Sequence, residues 1–541
     1  MMRNTYSNHE GNESSQENFD MQSIQKVNAD ISFMQIQEFL ESLDEVGDFS
    51  EFIEFKKKLN NKIMEFFAHK VENKPDEFQK ALHQGNIDIL SEDDPHKETA
   101  KQLVYQKNRI YNQLLYSALQ KGIFNKLLTT KQIRDIQNII SSGILEYFDE
   151  LFLNFEETAK QNIHSGNLPA KPKQLYFGGV QDGEYVPYKN LIKNSRIDMN
   201  LIEQINDENL RSYLAGIVKL LNSGVMSYDD WLVQEEKIMQ GWKQEENPLG
   251  IIAPIEDYVL AERCIEPEVA FILKDISLDT ANTSFLELSR KFFGEGYQME
   301  EVNLDFVEPV LEGGDATFSG FIGKAFPNDP NLAQKYGNAI IIKLDSMNNV
   351  LDNAQKAMHS FFGNDFEFDK KALRDELIKE VTYHEFGHSL FIKGHPKSLM
   401  EELKATLFYF LKLYDENQVE VYNDDEIKKI VEFAVMDSIR NIQRMDNPTF
   451  QKYLILTKVI LFYLFENNLL EWGDNDRLTI NTDSKLFLNF LENLKKELDY
   501  IKYLYELDDQ TREQEENTYL QTLQSRIDND IDKMYEIIIN S

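Results

Sequence analysis

From about residue 370 to its end, the chain repeats apolar residues at three- and four-residue intervals, and this pattern constrains the fold more than any other feature. An apolar stripe with that spacing is one face of an α-helix, and each helix must bury its stripe against a neighbour. The same periodicity runs from about 27 to 165, through "FMQIQEFLESL" and "QIRDIQNIISSGILEYFDELF", and returns in "NLRSYLAGIVKLLNSGV". Two interruptions stand out. The segment "SGNLPAKPKQLYFGGVQDGEYVPYKNLI" (165–192) carries prolines, glycines and an Asp-Gly turn, which predict a hinge or a hairpin. The segments "PEVAFILKDI" (267–276) and "GNAIIIKLD" (337–345) are short, β-branched and bounded by turn formers, as strands are. Between those two, the Gly-rich "LEGGDATFSGFIGKAFPNDP" (311–330) reads as a loop. The expected fold class is therefore mostly α, of the α+β kind, with a small β element in mid-chain. Only 24 glycines and 13 prolines in 541 residues argue against an all-β or loop-rich alternative.

A chain of this length exceeds one small core, so several regions are expected. Residues 1–25 are polar and predict a disordered tail, followed by a largely helical region over 26–250, a mixed α/β region over 251–369 and a helical region over 370–541. Acidic residues (93) outnumber basic ones (57), giving a formal charge of −36. Such a surface repels phosphate backbones, so nucleic acid and anionic membranes are not expected partners. The most apolar stretch, "YLILTKVILFYLF" (453–465), contains Lys458 and is shorter than a membrane span, so it reads as a buried helix. One cysteine, Cys264, cannot form an internal disulfide, and the first twenty residues lack an apolar signal core. A cytoplasmic protein is the expectation. No phosphate-binding loop, dinucleotide fingerprint or internal repeat occurs.

Chemistry concentrates in "KALRDELIKEVTYHEFGHSLFIKG" (371–394). Leu373, Leu377, Val381, His384 and His388 step along one helical face, and Gly394 followed by Pro396 supplies a stop. His384 and His388 then lie one turn apart, where two imidazoles can bind one Zn²⁺, and Glu385 between them can serve as general base. Chance produces such a pattern in a chain of this composition on the order of once in 100, so the surroundings must decide. A third protein ligand is needed. The next segment, "HPKSLMEELKATLFYFLKLY", offers Glu401 and Glu402. Ser398 and Glu401 have the spacing of a capping box, which gives Glu401 a local task at the helix start and leaves Glu402 facing the metal. Glu402 is the expected ligand, with Glu401 and His395 as rivals.

HExxH followed by "EELKA" (401–405) resembles the zinc peptidases whose third ligand is a glutamate, and most of all the dipeptidyl peptidase III family. Two upstream stretches share the resemblance: "GIIAPIEDYVLAERCIEPEVAFIL" (250–273) and "FIGKAFPNDPNLAQKYGNAIIIKLDSM" (321–347). The resemblance implies one Zn²⁺ held by His384, His388 and Glu402, with Glu385 as base. It implies that Tyr258 hydrogen-bonds the scissile carbonyl, that Glu256 holds the substrate's free amino terminus and that Asn328 binds peptide backbone. It also implies two lobes about a wide cleft, a substrate-cleft region at 251–369 and a zinc-bearing region at 370–541, acting on short peptides from their N-termini. A relative that binds peptides or a partner without cutting them is the alternative. The chain departs from the family in several places. Its histidines have the ordinary five-residue spacing, and about a dozen residues separate the two motifs where the family has a long insertion. Ala325 stands where the first asparagine would be. No histidine follows His395, so Tyr453 or Lys458 would have to replace the family's downstream histidine.

Overall fold

The computed structural model describes residues 38–90, 94–154, 174–176, 178–181, 184–223, 225–227, 229–230, 232–233, 236–237, 249–252, 268–275, 283–293, 302–318, 323–326, 335, 338–389, 398–443, 451–473, 476–524 and 528–539. The N-terminal part contains helices α1 (Phe49–Val71), α2 (Lys97–Gln120), α3 (Thr130–Ser142) and α4 (Ile144–Asn154). A sheet follows, built from β1 (Leu249–Ile252), β2 (Glu268–Lys274), β3 (Val302–Gly314), β4 (Gly323–Phe326) and β5 (Asn338–Lys343), with α5 (Thr283–Phe293) between β2 and β3. The rest is helical apart from one short antiparallel strand pair, Leu470–Trp472 with Leu478–Ile480, inside the region expected to be helical: α6 (Leu344–Phe362), α7 (Lys370–Ser389), α8 (Ser398–Val419), α9 (Asp424–Ile442), α10 (Gln451–Glu466), α11 (Ser484–Glu506), α12 (Asp509–Gln524) and α13 (Asp528–Ile539). This is the mostly α fold with a small sheet that the periodicity predicts. The tail over 1–25 lies outside the described residues.

Local chemistry sets the helix ends. Thr129 and Gln132 form a reciprocal capping box before α3, and Asn423 with Glu426 does the same before α9. Asp369 accepts the Ala372 amide at 2.9 Å and starts α7. Gly143 divides the long periodic run into α3 and α4. It has φ +76°, and a Cβ there would meet the Arg196 carbonyl oxygen at 2.4 Å. The stretch from 453 to 465 is the buried helix α10, with Val459, Leu461 and Leu464 at 0% exposure. No described helix is long and apolar enough to cross a membrane. The hairpin expectation also finds its strands: Gly178–Gln181 pairs antiparallel with Glu184–Pro187, and Gln181 faces Glu184.

The sheet order is β1-β2-β3-β5-β4, antiparallel except for the β3–β5 pair. It separates two hydrophobic cores. Along β5, Ala339 and Ile341 join the core of the N-terminal helices, whereas Ile340 and Ile342 join the core of the C-terminal helices. Alternate side chains of a strand point to opposite faces, and burying both faces requires an unbroken apolar run such as "AIII".

Several strands escaped the sequence reading, and β3 is the longest of them. β3 contains Pro309 and several acids, both poor strand signals. Pro309 is tolerated because it sits at a register irregularity opposite Phe271/Ile272, where the ladder is already broken. Its carbonyl and the buried Glu308 both accept from Lys56 Nζ, at 2.8 and 2.6 Å, tying the sheet to α1. The Gly-rich stretch from 311 is accordingly not all loop: it closes β3 at Gly314, makes a helical turn over Asp315–Phe318 and forms β4.

Asp149 anchors α4 to the end of β3, accepting the Gly314 amide at 2.8 Å and the Thr317 hydroxyl at 3.0 Å. Burial is the main cause that pushes its pKa up to about 8, with Glu146 adding to it and the hydrogen bonds from Gly314, Thr317 and Asn108 opposing. The folded state thus holds a proton that the unfolded chain releases near pH 4. This contribution to stability is full below pH 4 and is lost as pH rises toward 8, by at most about 1.4 kcal/mol per pH unit. Urea unfolding of wild type and Asp149→Asn between pH 5 and 8 should show the wild-type midpoint falling more steeply. Parallel profiles would contradict the assignment.

Candidate metal centre

α7 carries Leu373 and Leu377 into the C-terminal core at 1% and 0% exposure, and the same face continues to His384 and His388. Phe386, on another side of α7, packs on Phe285 and Phe408 with ring centroids 4.7 and 5.7 Å away. The helix is therefore clamped on several sides, which fixes its rotation. α8 packs against it, and the two backbones come close where Gly387 meets Ala405. These are the small residues of HEFGH and EELKA, so each motif carries its own half of the helix contact.

This crossing brings three ligand atoms together. His384 Nε2 and His388 Nε2 are 3.1 Å apart, and Glu402 Oε2 lies 3.4 Å from the first and 3.6 Å from the second. Atoms bound to a tetrahedral zinc at 2.0–2.1 Å are separated by roughly 3.3 Å along each edge, and the observed triangle brackets that value. Among the described residues, these three form the one group of His, Cys, Asp or Glu with ligand atoms near enough to share a metal ion.

The outer nitrogens are also held. His388 Nδ1 faces Glu401 Oε1 at 3.4 Å, and His384 Nδ1 faces Thr406 Oγ1 at 3.1 Å and Glu380 Oε1 at 3.8 Å. An ionised carboxylate only accepts, so Glu401 places the proton of His388 on Nδ1 and turns the Nε2 lone pair inward. Glu401 is itself fixed by Lys404 Nζ at 2.7 Å and by the Tyr505 hydroxyl at 2.6 Å. Burial alone would raise the Glu401 pKa, but Lys404 and His388 hold it down at about 2. Burial disfavours charge on His388, yet Glu401, Glu402 and Glu385 outweigh it and push its pKa up to about 10. Behind His384, Glu380 is pushed up to about 7, chiefly by burial and further by Asp437, with His384 and Arg440 opposing. The negative field that favours an imidazolium equally favours a divalent cation. The donor set and spacing fit zinc.

Glu385 lies between the two histidines in sequence and faces the sheet. A Cβ added to Gly323, the first residue of β4, would lie 3.0 Å from Glu385 Cγ, 3.2 Å from its Oε1 and 2.5 Å from Val381 Cγ1. β4 is the last strand in the sheet order among the described residues, so this edge runs beside the general-base candidate. Of the other expected residues, Tyr258, Glu256 and Asn328 lie outside the described residues, as does His395. Ser398 belongs to α8, but its side chain is not described, so the capping-box expectation lies outside the described contacts; those given for Glu401 are to His388, Lys404 and Tyr505. Tyr453 and Lys458 both lie on α10.

Sequence reasoning did not single out Thr406, Glu380, Lys404 or Tyr505. The first two were readable as one-turn neighbours of Glu402 and His384. Tyr505 lies 104 residues from its partner, and no local pattern announces it.

Fold and site together define a mostly helical chain with an HExxH helix and a glutamate from the following helix converging on one point. Two of the solved structures to which the chain is similar are these. One is dipeptidyl-peptidase III from Corallococcus sp. strain EGB, with 14% identity, TM-score 0.49, and 87% of this chain and 92% of that one covered. The other is DPP III from Caldithrix abyssi, with 14% identity, TM-score 0.47, and 85% and 92% covered. No protein-family model matches the chain, and no curated protein matches it.

Proposed function

We propose that this chain is a zinc-dependent hydrolase of peptide bonds in short peptides. The observation that carries the reading is the triangle of His384 Nε2, His388 Nε2 and Glu402 Oε2, with sides of 3.1, 3.4 and 3.6 Å and both outer imidazole nitrogens already engaged. A zinc ion held by these atoms would supply Lewis acidity, polarising a carbonyl and bringing the pKa of water toward about 7. In this reading Glu385 takes a proton from the attacking water on its carboxylate and returns it to the departing amine nitrogen. Glu402, one turn before Thr406 on a helix locked against α7, needs little reorganisation to hold its position. The edge of β4 beside Glu385 offers backbone groups along which an extended peptide can align. The preference for peptide N-termini, with Glu256 at the amino group, Asn328 at the backbone and Tyr258 at the scissile carbonyl, rests on motif resemblance alone.

The test joins metal analysis to a mass-spectrometric digest of a mixed peptide library. Purified protein should carry one zinc per chain and cleave short peptides. Treatment with chelator should stop cleavage, and added zinc should restore it. Protein that takes up no zinc would end this reading. Stoichiometric zinc without any cleavage would replace it by that of a peptide- or partner-binding protein.

A further inference from the structure

Behind His384, on the side away from Glu402, α7, α8, α9 and α10 line a cavity of about 20 Å³. Its polar lining is Glu380, Thr406, Asp437, Ser438 and Thr457, and the remaining walls are apolar. Thr406 and Glu380 are the two residues facing His384 Nδ1, so the cavity adjoins the outer side of that ligand. Most of the lining groups have partners. The Ser438 hydroxyl donates to the Ala434 carbonyl at 2.7 Å and Asn441 Nδ2 donates to Asp437 Oδ2 at 3.3 Å, while Asp437 Oδ1, ion-paired with Arg440 Nη2 at 2.7 Å, has no hydrogen bond of good geometry among the described residues. Thr457 differs. It is 2% exposed, lines the cavity, and its hydroxyl has no hydrogen-bond partner among the described residues. Buried hydroxyls are rarely left in that condition, and an internal water is the usual remedy.

The occupant follows from size and charge. A water needs roughly 10–15 Å³ of such space and two to four polar partners, so the cavity has room for one. Two carboxylates exclude an anion, while the guanidinium already engaged with Asp437 opposes a cation. Water meets both demands, since it can donate to Glu380 and Asp437 and accept from Thr457. We propose that this cavity is a site for one ordered water that links Thr457 on α10 to Glu380 on α7, making both positioning residues for His384. α10 is thereby coupled to the metal centre without touching it. The link to zinc affinity rests on the reading of His384 as a ligand; the water itself does not.

Two measurements test it. A crystal structure fine enough to show ordered solvent should place one water within hydrogen-bond reach of Thr457 Oγ1 and Glu380. Thr457→Val keeps the side chain's shape and removes its hydroxyl. It should lose that water and weaken zinc binding about tenfold, at the low end for outer-shell partners of a metal ligand. Zinc affinity is read by competition with a chromophoric chelator, and Thr457→Ser should restore both the water and the affinity. A dry wild-type cavity, a metal ion in the water's place, or wild-type zinc affinity in Thr457→Val would each overturn the proposal. If wild type takes up no zinc, the reading of His384 as a ligand fails, and the water is judged from electron density alone.

Discussion

Gly387→Ala is expected to abolish stoichiometric zinc binding and to lower the unfolding midpoint, although alanine is the better helix former. A Cβ at Gly387 would lie 2.6 Å from Ala405 Cα and 3.0 Å from the Ala405 carbonyl oxygen. Carbon atoms pack at about 3.5–4.0 Å, and both opposing atoms are backbone, so no side chain can swing aside. α7 and α8 must part by on the order of 1 Å, and overpacking of this kind costs about 1–3 kcal/mol. The separation falls where it does most harm, because His384 and His388 are on α7 and Glu402 on α8. Metal sites tolerate only about ±0.2 Å in ligand distance, so zinc affinity should fall by at least about a hundredfold. The sign makes the prediction sharp. Without the backbone contact, glycine to alanine inside a helix would stabilise by about 1 kcal/mol. Thermal unfolding with and without zinc, alongside chelator competition, separates the two outcomes. A variant at least as stable as wild type with unchanged zinc affinity would show that the helices do not meet as described.

That contact also marks how far the residues could be read in advance. The spacing of Leu373, Leu377, Val381, His384 and His388 was legible because a helix imposes its period on whichever residues must face inward. Glu402 was legible as an inward-facing acid on the next helix, although its neighbour Glu401 turned out to serve the same centre from behind, through His388, Lys404 and Tyr505. Gly387 and Ala405 were visible as motif letters, but their mutual approach is a tertiary fact that neither helix states alone. Strand β3 was hidden by Pro309, whose tolerance depends on a register irregularity beside it that shows only in the pairing with a strand some forty residues away. Thr457 was invisible for a similar reason: a threonine in an apolar helix looks like any other until the cavity beside it is known.

Glu385→Gln is expected to leave one zinc per chain and to reduce peptide cleavage by about 10²–10⁴-fold, the range spanned by loss of a general acid–base group. Glutamine keeps the volume that lies against Gly323, so β4 and α7 need not move. It also leaves the proposed ligand atoms untouched, since the three residues near enough to share a metal ion are His384, His388 and Glu402. What it removes is a carboxylate able to accept and return a proton. Loss of zinc from this variant would mean that Glu385 supports the metal rather than the proton transfer. Undiminished cleavage would place the base elsewhere, and in either case the mechanism proposed above would fall. The comparison with Gly387→Ala is informative as a pair: one substitution should remove the metal along with activity, and the other should remove activity alone. A structural role for the whole HEFGH segment would instead make both variants fail together, through stability.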